Sequence, residues 1–390
     1  MLGGELVASG SDSCIFIPNL PCKINGKTDD NRISKMIYGE GAKYEIQGEK
    51  KMNDKIKKIK GYSSWAIIFD TFCKSPSMNQ LLQYDKKGIQ NCIVEEAGFK
   101  TNQIQDGIDY FDETSYMMNG IYGGETMDDY FYNQFEMFHS YTHLQKEKMF
   151  LKLMKMMEPL FLGIKKMGEQ KIIHNDIKPN NIVVHNGVFK LIDFGLAGLQ
   201  SNKKHFQQRS SDEYSSGRIY LYYPLDYLFF YGGSSLYNEL NNFQKRSNFH
   251  MFYDLNLLFK KDAYEIVQHV IDQLQNTKNS EGLMIKKIDV YSLGTIIPLL
   301  FLKISRNSSN LMNKFIYTIQ ESEMICSFFS LFEEMIHPLS KDRINSENAY
   351  TEFKKLLRKY QQKRKITGKR KITGKRKITG KRLPRKNVRQ

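Results

Sequence analysis

Apolar and polar positions along this chain follow two periods, and the change of period divides it. Before residue 122 short stretches alternate. Ile15–Phe16, Ile33–Ile37 and Trp65–Phe69 read as strands, because successive side chains of a strand face opposite ways. Between them, Glu45 to Lys60 carries Met52, Ile56 and Ile59 at spacings of four and three on a charged background, which predicts a helix. After Tyr122-Gly123-Gly124 the longer period takes over. From Lys146 to Met167 the apolar residues Phe150, Leu153, Met157, Leu160, Phe161 and Ile164 share a helical face, and the methionines among them read as core filler. The run near Leu293–Leu302 is too short to span a bilayer and reads as a buried helix. The pattern therefore predicts an α+β chain: a small sheet-rich domain over 1–122, a Gly-Gly joint, and a larger helical domain over 123–358. Residues 227–287, rich in Tyr, Phe, Leu and Asn, are expected to add helices to the second domain.

Charge changes this picture only at the end of the chain. The formal net charge is +16, but residues 363–390 hold fourteen Lys or Arg and no Asp or Glu, which leaves residues 1–362 at about +2. The basic segment repeats Lys-Ile-Thr-Gly-Lys-Arg from Lys365, Lys371 and Lys377. So short and charged a repeat buries no core, so residues 359–390 are expected to be a disordered basic tail. It lacks aromatic residues for base stacking. It reads as a solvated appendage, or as a segment drawn to nucleic acid or to a nuclear-import receptor. The five cysteines are scattered and form no C-x-x-C pair. With no secretory pattern at the start, they read as reduced thiols in a cytoplasmic or nuclear setting, with no membrane partner.

Chemistry concentrates in residues 171–197. Ile182-Val183-Val184 and Val188 to Ile192 are β runs joined by Asn186-Gly187, the strongest two-residue hairpin signal. With Asn186 and Gly187 as the turn, His185 faces Val188 and Asn181 faces Ile192. Asn181 and Asp193 are then left at the open end, their backbones roughly 5–7 Å apart. Two oxygen-bearing side chains there can share Mg²⁺ with phosphate oxygens. Asp176, in a loop held by Pro179, can accept a proton from an alcohol, and Lys178 can steady a transferring phosphoryl group.

The string His174-x-Asp176-x-Lys178-Pro179-x-Asn181, followed by Asp193-Phe194-Gly195, resembles the catalytic and metal-binding loops of protein kinases. The resemblance implies the bilobal protein kinase fold, with a small β-rich N-lobe and a larger, mainly helical C-lobe. It also implies ATP and Mg²⁺ as cofactors, and protein substrates. Asp176 would be the catalytic base, Lys178 a phosphate contact, Asn181 and Asp193 the metal ligands, and His174 a support. Lys at 178 is the serine/threonine version. Asn175 stands where most regulated kinases carry an Arg that pairs with an activation-segment phosphate, so no such phosphate is expected to be needed. Ile288-Asp289-Val290-Tyr291-Ser292-Leu293-Gly294 resembles the start of the family's central helix, whose Asp holds the catalytic loop. Arg343 resembles its late arginine, with Asp226 as the acidic partner.

The nucleotide-facing half follows the family less closely. Ala8-Ser9-Gly10-Ser11-Asp12-Ser13-Cys14-Ile15 keeps only Gly10 of the three glycines, with Ser13 and Ile15 in place of Gly and Val. Lys35 stands alone on its strand face and is expected to hold phosphate. Its partner is expected to be Glu49, with Glu45 the runner-up. Met118 is expected behind the adenine, and the backbone of Asn119 to Tyr122, including Ile121, against the base. Gly-Ser-x-Ser-Cys-Ile-Phe-Ile-Pro-Asn-Leu-Pro-Cys, with the later Tyr-Gly-Gly-Glu-Thr, resembles kinases of large DNA viruses such as iridoviruses. That implies action in the infected host cell, and packaging in the virion. The rival readings are a pseudokinase scaffold, a small-molecule phosphotransferase of the aminoglycoside-kinase type, and a nucleic-acid binder defined by its tail.

Overall fold

Strand alternation builds one sheet with two different faces. The computed structural model describes residues 5–10, 13–23, 26–230, 245–276, 281–305 and 309–378. Five antiparallel strands, β1 (Glu5–Gly10), β2 (Ser13–Ile17), β3 (Arg32–Ile37), β4 (Phe69–Lys74) and β5 (Tyr116–Ile121), lie in the order β1-β2-β3-β5-β4. On one face Cys14, Met36 and Met117 stand in register and pack under Met78, Leu81, Ile89, Ile93 and Phe111. Those residues come from short helices between 78 and 114, which period alone did not reveal. On the other face Ile15, Lys35 and Met118 stand in register, and Ile37 and Met118 meet Ala42 and Ile46 of the helix Ala42–Lys57.

Two expectations for this region change. Trp65 does not begin a strand. It ends a 3₁₀ turn and is wholly buried, and a Cβ on Gly163 would stand 2.9 Å from its ring. Its carbonyl accepts from the Leu191 N–H at 2.9 Å, which ties the segment to a second, distant hairpin. The cysteines are also not all free. Cys14–Cys92 and Cys22–Cys73 form disulfides, with Cα–Cα distances of 6.1 and 5.9 Å, and Cys326 is free and exposed. The pairs are 78 and 51 residues apart in sequence, so spacing gave no sign of them.

Beyond Gly124 the chain is mainly helical. The helix His143–Glu169 opens on a Thr142/Gln145 capping box and buries Phe150, Leu153, Met157, Leu160, Phe161 and Ile164, the stripe read from the sequence. It packs in a core with Phe189, Phe194, Phe301 and Phe328. The helix Ile288–Ser305 is long and apolar enough to cross a membrane, but it lies inside this core, 89% buried. A second cluster joins Phe206, Tyr223 and Tyr227 to Phe252, Val267, Ile271 and Ile285. Within 227–287, the helices Phe249–Leu258, Ala263–Asn276 and Glu281–Lys286 pack as added elements, while 231–244 and 277–280 lie outside the described residues.

The tail differs from its expected form. The last helix, Ser346–Ile378, continues past 359 through the first repeats. Ala349, Phe353, Leu357 and Tyr360 anchor it, with Phe353 stacked on Phe161 at 3.8 Å. Once that segment is nucleated by packing, Lys and Arg propagate a helix at little cost. Residues 379–390 of the expected tail lie outside the described residues.

Candidate active site

The site is assembled around one short hairpin. Asn186 and Gly187 have φ of 53° and 76°, the left-handed pair of a two-residue turn. They set the register of β7 (Ile182–His185) on β8 (Val188–Leu191): Ile182↔Leu191, Val183↔Lys190, Val184↔Phe189 and His185↔Val188. The Ile192 N–H donates to the Asn181 carbonyl at 3.0 Å, so the ladder runs one step further and leaves Asn181 and Asp193 at the same end. Asp193 itself has φ of 60°, uncommon for a residue with a side chain and frequent at functional sites.

Asp176 is buried, and all of its carboxylate is engaged. Oδ2 receives Lys178 Nζ at 2.8 Å and Asn181 Nδ2 at 2.7 Å, and Oδ1 receives the Tyr220 hydroxyl at 2.7 Å. The loop before it is held from below. Asp289, at the start of the Ile288–Ser305 helix, accepts the His174 N–H at 2.7 Å and the Asn175 N–H at 3.0 Å. Burial pushes the Asp289 pKa up, and His174 together with the two N–H groups only partly opposes that. The His174 ring lies 4.7 Å from Phe194 and donates from Nε2 to the Ile192 carbonyl at 3.1 Å, so the support expected of it is physical.

Lys35 reaches this group across 158 residues of sequence and pairs with Asp193 at 3.2 Å. Burial works to lower the Lys35 pKa, but the carboxylates of Asp193 and Glu49 outweigh it and hold it above the ordinary value. Burial likewise works to raise that of Asp193, and Lys35 outweighs it downward. Glu49 is 1% exposed, and neither of its carboxyl oxygens makes a hydrogen bond. Burial first, and the Asp193 charge second, push its pKa up to about 8. So the expected Lys35–Glu49 ion pair is not formed here: Asp193 holds the ammonium, and Glu49 lies beside it in the protonated range. Glu45, the runner-up, is exposed on the same helix.

The residues expected to face the nucleotide divide. Ile15, Lys35 and Met118 share one face of the sheet, and Gly10 and Ser13 pair at the tip of the β1–β2 hairpin. Ser11 lies outside the described residues. Asn119 departs from its expected role. It sits inside β5 between β3 and β4, and its side chain turns to the opposite face, accepting from Ser34 Oγ at 2.7 Å and donating to the Leu20 carbonyl at 2.9 Å. Ile121 is the last residue of β5, paired with Arg32, and is half-exposed, so the backbone leaves the sheet only after it.

Among the described residues no cluster of three or more His, Cys, Asp or Glu side chains could hold a metal. Asn181 and Asp193 nevertheless fit Mg²⁺. The Asn181 amide nitrogen is spent on Asp176, which leaves its oxygen available, and Asp193 adds a carboxylate. A hard cation that keeps phosphate and water oxygens needs no more from the protein.

Two features of the segment after Gly195 were not read from the sequence. One is Tyr220 on Asp176. The other is Glu213, buried and clamped by Arg209 at 2.8 Å and by both nitrogens of an Arg218 fork at 3.0 and 2.9 Å. Arg209 also donates to the Tyr223 hydroxyl at 3.1 Å, which in turn donates to the Asn175 carbonyl at 2.5 Å. A carboxylate within the segment thus occupies two arginines, and Arg209 and Tyr223 tie it to the loop at Asn175. The Arg343–Asp226 pair is formed at 3.1 Å with both side chains buried, and the Ser340 N–H caps the other Asp226 oxygen at 2.6 Å.

Residues 112–220 match the protein kinase domain family, a stretch that includes Asp176, Lys178, Asn181, Asp193 and Tyr220. A MAP kinase kinase of Saccharomyces cerevisiae is 31% identical over 122 residues, which is 31% of this chain and 21% of that protein. The chain therefore spans about a fifth of the length of the curated relative it matches. The family match covers the segment that carries the hairpin and the loop aspartate.

Proposed function

We propose that this protein is a bilobal Mg·ATP-dependent protein kinase that transfers the γ-phosphoryl group to Ser or Thr hydroxyls of proteins. The observation that carries the reading is the convergence of Asp176, Lys178, Asn181 and Asp193 at one end of the hairpin, with Lys35 reaching them from the sheet. Bound Mg²⁺ would neutralise phosphate charge and orient the nucleotide. Asp176 Oδ1 orients the acceptor hydroxyl and takes its proton, within the short reach that general-base transfer requires. Lys178, fixed on the other oxygen of the same carboxylate, sets positive charge beside the transferring group. Asn181 bridges base and metal site, so the two keep a common geometry. Ile15 offers apolar surface to the base on the Lys35 face, with the buried Met118 beneath it.

The finer parts of the reading rest on the sequence. Lys178 favours Ser/Thr acceptors, and the Gly10–Cys22 string favours a viral kinase acting in the cytoplasm or nucleus of a host cell and carried in the virion. The basic repeats would then meet nucleic acid or an import receptor. A nucleotide-binding scaffold without catalysis is favoured by one observation, that every Asp176 oxygen is already engaged within the chain.

The test is transfer from γ-labelled ATP to a panel of basic and acidic proteins, by wild type, Asp176→Asn and Asp193→Ala. Labelling by wild type that both variants abolish is the expected result. Thermal stabilisation of wild type by Mg·ATP without any labelling would establish the scaffold instead.

A further inference from the structure

Two disulfides cross the β-rich domain, and they differ in their access to solvent. Cys14 and Cys92 are wholly buried, whereas Cys22 and Cys73 lie at the rim of the same cluster and are only partly buried. Cys73 stands on β4, an edge strand of the sheet, opposite Met117. Cys22 stands on the connection from β2 to β3, which the bond to Cys73 pins to that edge. Hydrogen bonds hold the same connection at its two ends. Near its start the Leu20 N–H donates to Ser34 Oγ at 2.7 Å, and the Leu20 carbonyl accepts from Asn119 Nδ2 at 2.9 Å. At its end the Asn31 carbonyl accepts the Tyr122 N–H at 2.8 Å. Tyr122 follows β5 directly and belongs to the backbone expected against the base. The bridge is thus joined through one connection to the backbone beside the nucleotide.

From this juxtaposition, and resting on the kinase reading above, we infer that Cys22–Cys73 is a thiol–disulfide exchange site for a dithiol reductant, and that its opening weakens nucleotide binding. Cys73 Sγ lies 3.6 Å from the Met117 carbonyl at the sheet edge, so the approach is to Cys22. One thiolate of the reductant attacks Cys22 Sγ, the Cys22–Cys73 bond breaks, and Cys73 leaves as a thiolate that is then protonated. The second thiolate displaces Cys22 from the mixed disulfide, and Cys22 is protonated in turn. The dithiol is oxidised to a disulfide, and its two electrons and two protons end on the cysteines. Cys14–Cys92 takes no part, because exchange needs access to a sulfur and this pair is wholly buried. With the exposed bond open, the connection regains conformational freedom, which loosens the Asn31–Tyr122 hydrogen bond. By linkage, the factor that reduction removes from nucleotide affinity is the factor by which bound nucleotide resists reduction.

The experiment titrates the full chain with mixtures of reduced and oxidised dithiothreitol. Differential alkylation and mass spectrometry read each cysteine pair, and equilibrium binding of a fluorescent ATP analogue with Mg²⁺ reads affinity. Cys22–Cys73 should open while Cys14–Cys92 stays closed, and nucleotide affinity should fall by about five-fold or more, the low end of coupling between linked sites. Saturating Mg·ATP should raise the dithiol ratio needed for half-reduction of Cys22–Cys73 by the same factor, and reoxidation should restore affinity. Cys22→Ser should bind at the reduced level whatever the dithiol ratio. Opening of both pairs together, or an open Cys22–Cys73 with nucleotide affinity unchanged, overturns the inference and leaves the kinase reading standing. No nucleotide binding by the fully oxidised chain overturns both.

Discussion

Arg343 and Asp226 allow a prediction whose size follows from their surroundings. Arg343 is 1% exposed. It gives Nη2 to Asp226 at 3.1 Å and to the Pro338 carbonyl at 3.0 Å, and Nε to the His337 carbonyl at 2.8 Å. Lys287 lies against the same group, donating to the carbonyls of Ser340 and Arg343, and the two cations repel. Asp226→Asn keeps the volume and an oxygen for the Ser340 N–H, but removes the negative charge paired with Arg343 and felt by Lys287. Breaking a buried pair in this way costs about 3–5 kcal/mol. The carbonyls around Arg343 argue for the lower end, and the Lys287 repulsion for the upper. With an unfolding entropy of about 0.8 kcal/mol/K for a chain of this length, the melting temperature should fall by about 4–6 °C. Calorimetry on Asp226→Asn, Arg343→Met and the double variant closes a thermodynamic cycle, and the double variant should be more stable than the sum of the singles allows, because no uncompensated charge stays buried. An Asp226→Asn protein that melts within about 1 °C of wild type, or a double variant at the additive value, would show that the pair does not hold this corner.

Further expectations follow from other parts of the site. Asp289→Ala leaves two consecutive N–H groups without their acceptor, so amide exchange at His174 and Asn175 should quicken, and phosphoryl transfer should fall by about 10²-fold; protection equal to wild type would contradict the hold. The Glu49 pKa is raised from 4.5 to about 8 in the fold, so its contribution to stability is complete below 4.5 and is lost as pH rises through 8; Glu49→Gln should flatten that loss in melts taken across the window, and an unchanged slope would refute it. Alanine at Ser211 and Ser215 should leave activity intact. Glu213→Gln, which loses two guanidinium partners, should destabilise by about 2 kcal/mol and lower activity; a fall in activity with the serine variants instead would return control to a phosphate. Ser210 is buried and bonded to the Tyr227 carbonyl at 2.8 Å, so it should resist modification by an added kinase in the folded protein.

What could be read beforehand was whatever local chemistry determines. Asn186-Gly187 permits one turn, and the turn sets every pair in the hairpin, so the positions of Asn181 and Asp193 followed. Alternation put Lys35 alone on its strand face, and the register sets Ile15 and Met118 beside it. The rest depended on partners far along the chain. Nothing near Cys14 points to Cys92, and nothing near Tyr220 points to Asp176, because sheet order and loop path make those contacts. Asn119 is similar: its side chain is satisfied by Ser34 and Leu20, partners 85 and 99 residues away that nothing near Asn119 announces. The tail misled because low burial was taken for lack of helix, although a packed helix preceded it.

Asp289 makes the Asp176 loop dependent on the buried Ile288–Ser305 helix. That helix leaves no slack at Gly294, where an added methyl would fall 2.6 Å from Met335 Cβ. A change there, one turn past Asp289, would be felt at the base as a displacement, even though neither residue meets a substrate. Tolerance to substitution is therefore uneven: an interior position that touches none of the candidate site residues must still hold its dimensions.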